Sequence, residues 1–248
     1  MSKLEVAVII PALNPLESLI NYTHELLANG IAHVIVVNDG STADVMNIFT
    51  ALSALDHCTV IHHDKNKGKG TALKTAFTYY INHFHHLNGV VTADADSQHA
   101  IGDVLNLATT LVESEHGLLL GVRNFQLDYV PPKSKFGNTI TSLFFHLLYG
   151  KKLTDTQTGL RGIPTSELDW MIAIKGERYE YEINMLIHAV KRSIPLIELH
   201  IETIYYENNS RTYFKAIKDS SKIFTKLVAG SFRKSSYFEP AKGEHHAK

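Results

Sequence analysis

A single cysteine, Cys58, occurs in the 248 residues. It cannot form an internal disulfide, and zinc sites built on four cysteines, or on two cysteines with two histidines, are excluded by count. Tryptophan is equally scarce: Trp170 stands alone and reads as ordinary packing. Neither sign of charge prevails, with 24 Lys and Arg against 25 Asp and Glu and a net charge of −1. That balance lacks the basic footprint of a dedicated nucleic-acid binder. No uninterrupted apolar run approaches the roughly 18–20 residues that cross a bilayer. The first residues, Met1-Ser-Lys-Leu-Glu-Val6, enter a strand-like run without the n-region and h-region of a secretory signal. With 44% apolar and 20% charged residues, collagenous, low-complexity and mostly disordered classes drop out. A soluble, cytoplasmic domain with a sizeable core is the expectation.

What is present alternates between two periods. Val6–Ile10 is a β-branched run suited to a strand covered on both faces, and it is expected to stop at Pro11. A helical stretch from about Leu16 to Asn29 closes at Gly30. His33–Val37, Cys58–His62, Gly89–Ala93 and Leu118–Gly121 read as further strands, with helices near 43–55 and 70–84 and another before residue 118. Strand and helix in alternation at this spacing predict βαβ units and a mostly parallel sheet. The second half is less regular. Helices are expected over Lys135–Tyr149, Glu177–Arg192 and Ala216–Phe232, with a strand over Ile194–Tyr206.

In an open parallel sheet, ligands bind at the carboxyl ends of the strands. Polar residues gather there four times: Pro11-Ala-Leu-Asn14, Asn38-Asp39-Gly-Ser41, His63-Asp-Lys-Asn-Lys-Gly-Lys-Gly70 and Asp94-Ala-Asp96-Ser-Gln98-His99. The first turn lacks the G-x-G-x-x-G of a dinucleotide fold. Around Gly68-Lys69 the P-loop pattern fails as well, because His63 and Gly70 fall on its glycine and hydroxyl positions. Asp94 and Asp96 remain. Alternation along an extended backbone sends them to opposite sides, so they take different tasks. One suits a hard divalent cation shared with substrate phosphates, and the other a sugar or ribose hydroxyl or the metal's water. An Asp-rich turn capping the next helix is the plainer alternative. The histidine groups His62-His63 and His83-x-His85-His86 lack a third ligand at metal spacing and read as solvated surface residues.

Taken in order, Ile10-Pro-Ala-Leu-Asn14, Val37-Asn-Asp39-Gly-Ser41 and Asp94-Ala-Asp96-Ser-Gln98 resemble the inverting family 2 glycosyltransferases. More narrowly they resemble the dolichyl- or polyprenyl-phosphate glycosyltransferases, dolichyl-phosphate mannose synthases among them. Asp155-Thr-Gln-Thr-Gly159-Leu-Arg161 is similar to that group's D-x-x-[ST]-G-[FL]-R segment. Glu177-Arg-Tyr-Glu-Tyr-Glu182 is similar to its Glu/aromatic helix start, and Thr212-Tyr-Phe214 to Asp219-Ser220 to its late S-x-F…D-S segment. The resemblance runs from about residue 5 to 225. It implies a GT-A fold, an α/β architecture with a Rossmann-like, mostly parallel sheet flanked by helices. One domain over 1–230 is implied, with a nucleotide-binding half to about 123, an acceptor-binding half from about 124, and a polar tail over 231–248.

The resemblance also assigns roles. Pro11, Asn14, Asp39, Asp94 and Ala95 line the nucleotide pocket, with Asp39 accepting hydrogen bonds from the base. Family members usually carry Glu directly after P-x-x-N; Pro15 lies there in this chain, and Glu17 is the candidate to stand in for it. Lys67 and Lys69 fall beside the nucleotide, or else are solvated. Asp96 and Gln98 match metal ligands for Mg2+ or Mn2+, and His99 is either a further ligand or structural. Arg123 matches a phosphate-binding arginine with a bidentate fork, and Arg211 is a second phosphate residue flanked by Lys215 and Lys218. Asp155 orients acceptor or donor sugar, and Asp94, Asp155 and Arg123 form the catalytic set. Where relatives often carry an arginine before the helix at 135, this chain has Lys133 and Lys135.

The implied reaction moves a sugar from a UDP- or GDP-sugar to a lipid phosphate. The alternative in the same family is transfer to a glycan or protein hydroxyl, which requires a base such as Asp155, Glu180 or Glu182. A nucleotidylyltransferase is disfavoured, because the Gly-rich, Arg- and Lys-bearing signature after the first strand is missing. A catalytically silent binding module is disfavoured by the full set of Asp94, Asp96, Gln98, Asp155 and Arg161. A lipid acceptor places the chain at the cytoplasmic membrane face, by peripheral contact or through a membrane partner. The apolar stripes of 136–149 and 216–232 are candidates for lipid, core or a homo-oligomer contact.

Overall fold

Odd and even residues of the first strand part to opposite sides. In β1 (Leu4–Ala12), Val6, Val8 and Ile10 enter one apolar layer, while Ala7 and Ile9 enter the other. A strand buried on both faces belongs at the centre of a sheet covered on both sides. The structure, a computed structural model, describes residues 4–114 and 116–202. The helix expected over 216–232, the tail over 231–248 and Arg211 with its neighbouring lysines lie outside the described residues.

Around β1 the chain adds α1 (Ser18–Ala28), β2 (Ile31–Asn38), α2 (Met46–Ser53), β3 (Cys58–His62), α3 (Lys69–Phe84) and β4 (Gly89–Thr92). It continues with α4 (Ile101–Glu113), β5 (Leu118–Val122), α5 (Pro132–Tyr149), β6 (Arg161–Pro164), α6 (Leu168–Ala173), α7 (Glu180–Lys191) and β7 (Leu196–His200). The strands form one sheet in the order β3-β2-β1-β4-β6-β5-β7. All neighbours run parallel except β6, which is antiparallel to both β4 and β5. The sheet therefore continues past residue 123, with β6 and β7 drawn from the second half of the chain.

α1, α2 and α4 cover one face through Leu19, Phe49, Leu107 and their neighbours. α3, α6 and α7 cover the other through Ala76, Phe77, Met171 and Tyr181. The expected mostly parallel α/β sheet is what forms. Three local expectations are corrected. β1 runs through Pro11, because Ile9 O accepts the Ala93 amide while Ala12 O accepts the Asp39 amide. Pro11 thus turns its missing N–H toward β4, which has already ended at Thr92. β6 and α6 were not expected at all. The last strand spans Leu196–His200 rather than all of 194–206, and residues 203–206 lie outside the described residues.

Candidate active site

The carboxyl ends of β1, β2 and β4 bring together the loops singled out by sequence. Asp39, just past β2, is buried and holds the loop between β3 and α3. Its Oδ1 accepts the Lys67 amide at 2.9 Å and lies 2.7 Å from His63 Nδ1, and its Oδ2 accepts the Gly68 amide at 2.8 Å. An ionised carboxylate offers about four acceptor sites, so the contact expected with a base has one site left to it. His63 is accordingly no solvated residue, since its side chain is 6% exposed and also meets Thr75 Oγ1. His83, His85 and His86 are exposed as expected. Asn14, at φ 47°, accepts the Thr42 amide and hydroxyl on Oδ1, while its own amide donates to Ser41 Oγ. It ties the first turn to the second.

Beyond β4 the chain does not stay extended. Ala95 and Asp96 form a turn, Ser97 has φ 59°, and the Gln98 amide donates to Asp96 Oδ1 at 3.1 Å. Asp94 and Asp96 therefore lie in one electrostatic neighbourhood rather than on opposite sides of a strand. Lost hydration, followed by the charge of Asp94, raises the Asp96 carboxyl above its ordinary pKa. Burial would raise Asp94 as well, but Lys69 and then His99 outweigh it and hold that carboxyl well below the usual range. Ala95 packs on the apolar layer of α1 and α4. His99 Nε2 stands 3.4 Å from Asp94 Oδ2.

Lys69 is the largest departure from expectation. It is not solvated: only 16% of its side chain is exposed. Its ammonium is buried between Asp94 Oδ1 at 2.6 Å and Glu182 Oε1 at 2.9 Å. Burial would lower its pKa, but the two carboxylates hold it above the ordinary lysine value. Lys67, by contrast, pairs with Asp64 on the surface. Arg123 is also committed: its Nε and Nη2 donate to the fully buried Asp155 at 2.7 and 3.1 Å. The fork expected to face a phosphate is turned on that carboxylate. Glu17 is exposed at the N-cap just before α1, joined to the cluster by no bond among the described residues.

Sequence reasoning underweighted three supports. Arg161, 1% exposed, donates from Nε to Thr158 O and from Nη1 to Glu182 O, and so braces α7 from below. Gly159 lets Asp94 lie flat, because a Cβ there would stand 2.5 Å from Asp94 Oδ2. Gly70 lets α3 press on α7, with a Cβ there 2.5 Å from Tyr181 Cβ. Glu182, 8% exposed on α7, shares its turn with Glu180 and Asn184, so nothing local in the sequence marks it as the carboxylate that is buried and needs a cationic partner. Gly70→Ala is expected to cost about 1–3 kcal/mol by overpacking, read as a lower Tm with every polar group still in place.

The seven-stranded, mostly parallel sheet flanked by helices is the GT-A fold that the sequence resemblance implied. Comparison with known proteins agrees. The profile of glycosyl transferase family 2 matches residues 7–162, and the chain belongs to that family; it is a glycosyltransferase. It is similar to the UDP-N-acetylglucosamine–dolichyl-phosphate N-acetylglucosaminyltransferase of Methanococcus voltae, 29% identical over 82% of this chain and 86% of that one. An uncharacterized protein of Methanocaldococcus jannaschii is 28% identical over 84% of each chain. Among solved structures, glucosyl-3-phosphoglycerate synthase of Mycobacterium tuberculosis, crystallised with Mn2+, UDP and phosphoglyceric acid, superposes with a TM-score of 0.71. That match covers 92% of this chain and 79% of the other at 16% identity, a likeness of fold.

Proposed function

We propose that the enzyme transfers a sugar, with inversion, from a nucleoside diphosphate sugar to a polyprenyl phosphate. One observation carries the choice of acceptor: the two buried carboxylates that could deprotonate a hydroxyl, Asp155 and Glu182, are each paired with a cation. Asp155 is paired with Arg123, Glu182 with Lys69, and Glu180 Oε1 accepts the Glu177 amide. A hydroxyl acceptor needs a base, whereas a phosphate monoester arrives ionised and needs none. The M. voltae relative, named for a dolichyl-phosphate acceptor, supports the same reading.

The residues present fit a divalent cation. Asp96 has no basic partner among the described residues, its carboxyl is raised in pKa, and Ser97 Oγ on the same turn is buried without a hydrogen bond. No group of three His, Cys, Asp or Glu side chains able to hold a metal occurs among the described residues. Asp96 with Gln98 would therefore share the ion with the donor's phosphates and water, as suits a hard cation. Mg2+ or Mn2+ supplies there the positive charge that offsets the leaving diphosphate. Asp94, fixed by Lys69, presents its carboxylate to the donor, and Arg123 with Asp155 shapes the acceptor side. The M. tuberculosis structural relative, crystallised with Mn2+ and UDP, is consistent with this assignment.

No helix among the described residues is long and apolar enough to cross a membrane. α5 instead turns Phe136, Ile140, Leu143 and Leu147 outward at i, i+4, i+7 and i+11, while Phe145 on its other side is buried. Lys135 at its start and Lys151 and Lys152 past its end are exposed, with no acidic residue between Asp128 and Asp155. An apolar stripe with basic ends suits the interface of an anionic bilayer, where the acceptor resides. Phe136→Glu with Leu143→Glu is expected to abolish co-sedimentation with phosphatidylglycerol vesicles and to slow transfer to a long-chain acceptor. Transfer to a short, water-soluble one is expected to continue, and unchanged pelleting would contradict the membrane reading. A screen of UDP- and GDP-sugars with Mn2+ and a short polyprenyl phosphate tests the proposed reaction. A glycosylated lipid phosphate is expected, and donor hydrolysis without transfer would refute it.

A further inference from the structure

Lys69 opens α3, where free backbone N–H groups already carry positive charge and a cation is disfavoured. No acidic residue lies in that first turn to offset it. A local rule broken in this way at a functional site calls for a compensating contact, and two are present: Asp94 Oδ1 at 2.6 Å and Glu182 Oε1 at 2.9 Å, with only 16% of the lysine side chain exposed. The backbone on either side of it is held in place. The Lys67 and Gly68 amides are held by Asp39, the Thr71 amide donates to Glu177 O at 3.0 Å, and Gly70 abuts Tyr181. Arg161 Nη1 donates to the main-chain carbonyl of Glu182 at 2.7 Å, and Asp94 lies against Gly159.

We propose that Lys69 is a positioning residue that fixes Asp94 of the β4 turn and Glu182 of α7 at a set separation, so that the two carboxylates meet the donor's sugar as one preformed acceptor pair. Lys69 itself does not bind the donor's phosphates. The proposal rests on the donor reading given above, and its test has an arm independent of that reading. Misplacing a catalytic group by about 1 Å costs on the order of 100-fold. Lys69→Met is therefore expected to lower kcat about 100-fold, while the affinity for UDP or GDP with Mn2+, whichever wild type binds more tightly, stays within about twofold. Lys69→Arg, which keeps the charge, is expected to recover part of kcat. A tenfold or greater loss of nucleotide affinity in Lys69→Met would make Lys69 a phosphate ligand and overturn the proposal.

The second arm needs no substrate. Breaking a buried pair from one side strands its partner, whereas removing both sides is milder. Lys69→Met is expected to lower Tm, and adding Glu182→Gln to that variant to raise it again, although Glu182→Gln alone does not raise it. Additive Tm changes would show that the two residues do not act together. If wild type binds neither nucleotide, the donor reading fails while this arm still decides the role of Lys69.

Discussion

Replacing Asp96 by alanine is expected to cut transfer at least about 100-fold, a loss typical of removing a group that stabilises developing charge, without weakening the fold. Asp96 stands in a half-buried turn, and its one hydrogen bond among the described residues comes from the Gln98 amide. Lost hydration and then Asp94 raise its pKa, so at neutral pH the metal-free fold carries that charge at a cost. A carboxyl raised on folding weakens the fold above its folded pKa and has no effect below its unfolded one. The variant's Tm should equal or exceed that of metal-free wild type at pH 7, and the difference should close as pH falls through the carboxylate range. Retained activity would remove Asp96 from the metal site, and a large drop in Tm would make its role structural.

Arg123→Ala should do the opposite and damage both stability and turnover. Asp155 is fully buried, accepts two guanidinium bonds and the Gln157 amide, and would be left as a buried, unpaired charge. Breaking a buried pair costs about 3–5 kcal/mol. Arg123 is 26% exposed, so solvent screens part of this and about 2–4 kcal/mol is expected. For a chain of this size that is a fall in Tm of roughly 5–15 °C. Adding Asp155→Asn should restore much of the Tm and none of the activity, because the shape of the acceptor side is lost with the pair. A single variant as stable as wild type would show that the pairing carries no structural weight.

The parts of the fold legible in sequence were those written in local periods. β1, β2 and β4 show as apolar runs because both their faces are buried, and α1, α3 and α5 show as stripes. β6 left no such trace. Arg161-Gly-Ile-Pro164 is four residues with a glycine and a proline, and it becomes a strand only because β4 and β5 flank it. The acidic turn at 94–98 was legible because strand ends collect ligands. The alternation argument for Asp94 and Asp96 failed because the strand stops at Thr92. Commitments made across the fold were invisible. Lys69 meets Glu182 only when α7 packs on α3, and nothing near Lys69 in the sequence announces that partner. Arg123 likewise read as a free fork until Asp155 was placed beneath it.

The acceptor we propose is a phosphate, attacked without help from a protein base. This is tested most directly by offering the enzyme, with Mn2+ and the donor that passes the screen, equal amounts of a short polyprenyl phosphate and the matching polyprenol. Sugar appearing on the phosphate alone, at a rate that Glu180→Gln leaves within about threefold, is the predicted result, since a general base contributes about 100-fold or more. Transfer to the alcohol, or a Glu180→Gln rate lower by about 100-fold, would contradict it.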